Sequence, residues 1–188
     1  MNIKGLEKAA ENYHNGTMAL VEKLIGVPER QIKTTPIIIR KNNKTFCYIS
    51  EYSNLRPDCN FIQPFIINGA FSLEVKMKFL SILETGVQLR GHNLLELYEQ
   101  QTNDTKLHIR NKLKEIVINS DLHKKTISDL HSNYNLQFSW DTHLLISNSA
   151  LAFERWRYSF ENANKVTWFA GYFELQQTLN SRLSVLKS

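Results

Sequence analysis

Two groups of polar residues lie close together in the middle of the sequence, where their types and spacing could support chemistry. Glu74 and Lys78 are four residues apart in an apolar run, so they share one face of a helix, with the carboxylate on the favourable N-terminal side. A short basic turn follows at residues 90–93 (RGHN). His92 in this turn can carry a proton near neutral pH, and Asn93 offers an amide to a ligand.

A third polar group lies late in the chain, in the run ERWRYSFE at residues 154–161. Arg157 and Glu161 share one helix face there, while Trp156 and Phe160 occupy the neighbouring face. Arg157 is therefore placed beside the core. It needs an anionic partner, because a buried and unpaired charge is strongly destabilising.

Two interpretations of these groups stay open. In the structural one, Arg157 pairs with Glu161 or Glu74 and locks two helices together. In the functional one, Arg157, His92 and Lys78 line a phosphate pocket, in which arginine supplies a fork of donors and histidine moves a proton.

Several other kinds of site are excluded by the sequence. It has no GxGxxG, no P-loop, no HExxH and no GxSxG. The histidines are scattered without zinc-ligand spacing, so we expect neither a metal nor a cofactor. Cys47 and Cys59 have no CxxC spacing and are predicted to be free thiols in the core.

The composition is that of an ordinary globular protein. The chain has 188 residues, 42% hydrophobic and 22% charged, with a net charge of +5 and a pI near 9.2. This basic surplus permits contact with nucleic acid without demanding it. The apolar runs are too short to cross a bilayer, and the first residues have no signal-peptide core. We therefore expect a cytoplasmic protein with no membrane contact.

The elements that must position these groups are mainly helices. A β-hairpin is predicted at residues 36–50, around the Asn-rich turn 41–44, and a connecting loop at residues 51–64. Helices are predicted at residues 4–25, 65–84, 93–101, 104–118, 122–134, 140–161 (with Ser139 as N-cap) and 165–186. The predicted fold is a mainly α, up-and-down helical bundle. It forms one domain over residues 1–188, with residues 1–64 as an N-terminal helix plus hairpin and residues 65–188 as the helical core.

Three stretches, in this order, resemble the HEPN (higher eukaryotes and prokaryotes nucleotide-binding) superfamily. They are AFSLEVKMK at residues 70–78, GHNLLELY at residues 91–98 and AFERWRYSFE at residues 152–161. The resemblance implies a helical bundle that often forms a symmetric dimer and acts on RNA or nucleotides. Many members are toxins or antiviral ribonucleases. They cut RNA without metal, using an arginine and a following histidine on the late helix.

The sequence departs from that pattern after Arg157, where Tyr158 and Glu161 follow but no histidine does. We therefore expect a HEPN-like, catalytically silent module that binds RNA, a nucleotide or a protein partner in bacterial antiviral defence or a toxin–antitoxin system, as a homodimer. The alternative is a metal-independent endoribonuclease with Arg157, His92 and Glu161 as catalytic residues. In either case Lys78, Glu74, Asn93 and Tyr158 are the expected ligand-binding residues.

Overall fold

The computed structural model describes residues 3–41, 44–49, 57–150 and 167–188. This part of the chain contains seven α-helices, two 3-10 turns and a small antiparallel sheet, which confirms the mainly α prediction. The helices are α1 Ile3–Ile25, α2 Ile62–Thr85, α3 Leu94–Glu99, α4 Asn103–Ile118, α5 Asp121–Tyr134, α6 Thr142–Ser149 and α7 Tyr172–Lys187. The 3-10 turns are Glu29–Gln31 and Cys59–Phe61. None of these helices combines the length and apolarity that crossing a bilayer requires.

Helix α2 is the centre of the fold. Its sequence is apolar almost all the way round, so it must be covered on every side, and α1 and α7 both pack on it. Phe65, Ile66 and Leu80 on this helix are fully buried. At its C-terminus Gly86 takes the left-handed conformation, with φ of 74°, and its N–H donates to the Ile82 carbonyl. Helix α2 therefore ends at Thr85, before a left-handed glycine and one residue beyond the predicted end at residue 84.

The predicted hairpin is confirmed and is part of a larger sheet. Strand β1 (Ile37–Lys41) pairs antiparallel with β2 (Lys44–Tyr48), and a third strand, β3 (Thr167–Phe169), pairs with the other edge of β1. The β1 residues Ile37, Ile38 and Ile39 are buried. The sheet therefore joins the N-terminal hairpin to the C-terminal part of the chain.

The predicted start of the last helix is wrong. Residues 167–169 form a strand, and α7 begins only at Tyr172 after Gly171, which has φ of 71°. Pairing with β1 overrides the helical spacing, since strand formation depends on the neighbouring edge more than on local propensity. A second correction concerns α6. Its N-cap is Asp141, which accepts from Leu144 N, whereas Ser139 was predicted to cap it.

Close packing between α2 and the β3–α7 corner depends on Gly69. A methyl group added at Gly69 would lie 2.9 Å from a ring carbon of Phe169 and 3.3 Å from Tyr172. By contrast, Gly16 in the middle of α1 has nothing within 4 Å of that position. Gly69 is thus required by the packing, and Gly16 is not.

The two cysteines differ in their surroundings. Cys47 on β2 is half-buried, and burial raises the pKa of its thiol to about 12. Cys59 is exposed, so the prediction that it lies in the core is wrong. It is displaced from the core because it lies in the 3-10 turn that leads into α2.

Candidate functional site

The elbow between α2 and α3 brings together three of the residues singled out in the sequence. Glu74 on α2 is only 2% exposed, as expected for a residue on a fully covered helix. Lys78 Nζ lies 2.7 Å from Glu74 Oε1, which confirms the ion pair predicted from their spacing. His92 Nδ1 lies 3.0 Å from both carboxylate oxygens of Glu74. From the sequence, His92 and Lys78 were predicted to line a phosphate pocket and Glu74 to bind the ligand, but a contact between Glu74 and His92 was not predicted.

Local backbone geometry places His92 over this carboxylate. Gly86 ends α2 and Gly91 has φ of 92°, so the chain reverses within a few residues. Asn93 is the N-cap of α3, and its side-chain oxygen accepts from the N–H groups of Leu95 and Glu96. This oxygen serves the helix cap, and the NH2 group donates to Glu96 Oε1 at 3.3 Å, so one N–H of the amide is left for a ligand. His92 is fixed by its position directly before this cap.

The electrostatics of the elbow follow from the unequal burial of its members. The Glu74 side chain is 3% exposed and the Lys78 side chain 17% exposed, whereas the His92 side chain is 57% exposed. Lys78 offsets the cost of burying the Glu74 charge. The carboxylate in turn holds one nitrogen of an imidazole whose ring faces the surface. Such a pair can contact a phosphate or move a proton.

The remaining predicted site residues, Arg157, Tyr158 and Glu161, lie outside the described residues. Residue 150 is the last described one before them, and its backbone oxygen accepts from Leu94 N at 3.2 Å. The chain therefore enters the segment 151–166 beside the first turn of α3. Whether Arg157 joins Glu74 and His92 stays a prediction.

A second polar cluster, centred on Lys76, was missed as a site by sequence reasoning. Lys76 is 5% exposed, and its Nζ donates to Gln176 Oε1 and, at 2.6 Å, to Asn180 Oδ1. Burial lowers the pKa of Lys76 to about 8; nearby Lys187 acts in the same direction and Glu11 opposes it. A lysine inside the apolar run of α2 was the available signal, but its amide partners on α7 are distant in sequence.

A third cluster ties three parts of the fold together through Glu174. Its Oε2 accepts from the Thr35 hydroxyl at 2.7 Å, and its Oε1 lies 2.9 Å from His123 Nε2. Trp140 Nε1 donates to the His123 backbone oxygen, and the two rings meet edge to face. Glu174 and His123 are only 2% and 4% exposed, so this cluster is a buried link between α5, α7 and the segment before β1. No pattern in the sequence pairs residues this far apart.

The described residues contain no group of three histidine, cysteine, aspartate or glutamate side chains able to hold a metal ion.

No protein family, curated protein or solved structure matches the chain significantly.

Proposed function

We propose that this chain is a HEPN-like helical module that binds RNA or a nucleotide at the α2–α3 elbow, with His92 as the contact residue. The observation that carries the proposal is the anchoring of His92, which is largely exposed yet held by the buried carboxylate of Glu74. Arg90, two residues earlier, is also exposed. An oriented imidazole two residues from an exposed arginine suits phosphate contact and base stacking.

The proposed setting is bacterial defence or a toxin–antitoxin system, with the module acting as a homodimer in the cytoplasm. A net charge of +5 is compatible with an anionic partner such as RNA. A protein partner at the same surface is the competing outcome, and the binding experiment below separates the two.

RNA binding is tested by fluorescence anisotropy with a labelled single-stranded RNA between about 50 and 200 mM salt. Each phosphate contact should contribute about −0.7 to the slope of log K against log salt. His92→Ala should weaken binding. The matched control is His131→Ala, which removes an exposed histidine from α5 and should leave binding unchanged. A slope near zero for folded protein would reject RNA and favour the protein partner.

A second candidate function, a metal-independent endoribonuclease, is favoured by the contact between Glu74 and His92. A carboxylate that holds one imidazole nitrogen fixes the ring orientation that proton transfer needs. In this candidate mechanism, His92 or Glu161 takes the proton of the ribose 2′-OH, whose oxygen then attacks the adjacent phosphate to form a cyclic 2′,3′-phosphate. The bond from phosphorus to the 5′-oxygen breaks, and the 5′-oxygen leaves as a hydroxyl after taking a proton from the protonated base or from water. Arg157 stabilises the charge that develops on the phosphate oxygens.

This candidate is tested by incubating the full chain with total RNA in EDTA. Wild type should cut the RNA, whereas His92→Ala and Arg157→Ala should not, and His131→Ala should cut at the wild-type rate. Cleavage that persists in His92→Ala would point to a contaminating nuclease or to another base. An intact RNA pool in the presence of folded dimer would reject the enzymatic function and leave the binding proposal standing.

A further inference from the structure

A cleft beside α7, lined by no residue of α2 or of the elbow, has no role in the function proposed above. Lys76 is two residues from Glu74, so it points away from the elbow, toward α7. The cleft lies between α1, the 3-10 turn Glu29–Gln31 and α7, and its volume is about 310 Å³. That volume is at the lower end of the range for small-molecule sites. It is lined by His14, Met18, Arg30, Ile32, Lys33, Phe173, Gln176, Gln177 and Asn180.

The ionised side chains that line this cleft are basic. Arg30 and Lys33 are exposed at its rim, and no carboxylate is among the described side chains that line it. Burial, together with the charge of Lys76, lowers the pKa of His14, so the positive charge that lines the cleft at pH 7 is that of Arg30 and Lys33. Arginine supplies a planar fork of donors and lysine a compact charge, a combination well suited to a phosphate dianion.

The amides of α7 reinforce this preference for anions. The side-chain oxygens of Gln176 and Asn180 both accept from Lys76, while Gln176 Nε2 donates to Ser72 Oγ at 2.8 Å. Since the oxygen of Asn180 serves Lys76, the group that this exposed amide can offer to a ligand is its NH2 donor. At Asn180 the polar face of the cleft therefore offers a donor to an anionic ligand.

The cleft also has an apolar edge, formed by Met18, Ile32 and Phe173. Met18 and Phe173 are largely buried and Ile32 is half-buried, so the edge is part of the folded core rather than a loose surface patch. It can cover the organic part of a small ligand while the cationic rim holds its charged group.

We infer that this cleft binds a small phosphorylated molecule of about nucleotide size, with its phosphate between Arg30 and Lys33 and its organic part against Met18, Ile32 and Phe173. The site is separate from the proposed RNA contact at His92. It is lined by different residues, none of which belongs to α2 or to the elbow.

The test is isothermal titration calorimetry of the full chain with three probes: adenosine 5′-monophosphate, adenosine and inorganic phosphate. The monophosphate should bind at least about tenfold more tightly than adenosine, because charge-assisted hydrogen bonds to the phosphate are lost with it. It should also bind more tightly than inorganic phosphate, because only the nucleotide covers the apolar edge. Failure of both phosphorylated probes to bind at millimolar concentration would overturn the inference, as would equal affinity for adenosine and its monophosphate.

The variant for this test is Arg30→Gln combined with Lys33→Gln, which should weaken monophosphate binding at least about tenfold. The matched control is Lys124→Gln combined with Lys125→Gln, which removes the same charge from the exposed face of α5. Its affinity should stay within about twofold of wild type, since distant exposed charges are screened by salt. Equal weakening in both double variants would mean that only net charge matters and would overturn the site.

A third arm separates this inference from the proposed function. His92→Ala should leave monophosphate binding at the wild-type level even where it weakens RNA binding. If instead the Arg30 and Lys33 double variant weakens RNA binding as strongly as monophosphate binding, the cleft belongs to the RNA surface and is not a separate small-molecule site.

Discussion

Replacing Glu74 with alanine probes the arrangement on which the elbow depends. The carboxylate is 3% exposed, 2.7 Å from Lys78 Nζ and 3.0 Å from His92 Nδ1. Removing one partner of a buried ion pair costs about 3–5 kcal/mol, because the other charge stays buried without compensation. The Lys78 side chain is 17% exposed and can move part of its charge toward water, which places the expected loss near the lower limit.

We therefore expect Glu74→Ala to lower the free energy of unfolding by about 3 kcal/mol. For a chain of this length, that corresponds to a decrease in Tm of roughly 6–12 °C. Urea denaturation followed by circular dichroism measures the first quantity, and calorimetry measures the second. His92→Ala should cost less than about 1 kcal/mol, since that side chain is largely exposed.

The matched control is Glu115→Ala on α4. Glu115 pairs with Lys112 at 2.9 Å, but the two side chains are 58% and 35% exposed. An exposed helical pair of this kind contributes about 0.5 kcal/mol or less. Lys78→Met completes a double-mutant cycle with Glu74→Ala. The loss of stability in the double variant should be about 1–3 kcal/mol smaller than the sum of the losses in the two single variants. A loss for Glu74→Ala no larger than that for Glu115→Ala would refute the buried-carboxylate reasoning.

Three further outcomes follow from the packing, from the buried lysine and from the thiols. Gly69→Ala should destabilise the fold by about 1–3 kcal/mol, because the added methyl group clashes with the Phe169 ring of β3. Gly16→Ala should instead stabilise it by up to about 1 kcal/mol. Chemical denaturation compares the two variants, and equal effects would contradict this packing. The unfolded state keeps the Lys76 proton up to about pH 10.5, whereas the folded state releases it near pH 8. As the pH rises between these values, the free energy of unfolding of wild type should therefore increase by about 3 kcal/mol relative to that of Lys76→Met. Parallel curves of stability against pH for the two proteins would argue against burial of the charge. In the native protein Cys59 should react rapidly with a disulfide reagent and Cys47 slowly, since Cys47 is half-buried with a raised pKa; a fast phase that survives Cys59→Ser would reverse this order.

Much of the helical framework could be predicted from the sequence, because local signals define it. Gly86 ends α2 and Asn93 caps α3, and both effects act through the backbone of neighbouring residues. The Glu74–Lys78 pair was equally accessible, since helical geometry alone brings residues four apart onto one face.

The tertiary structure decided what depends on residues distant in sequence. Residues 167–169 form a strand because the edge of β1 is there to pair with them, which no local pattern records. His92 meets Glu74 because the elbow reverses the chain, and Lys76 meets Gln176 and Asn180 because α7 packs on α2. Spacing along one helix thus determined which charges could pair locally. Packing between elements brought His92 to Glu74 at the elbow, and it placed Arg30 and Lys33 at the rim of a cleft between α1 and α7.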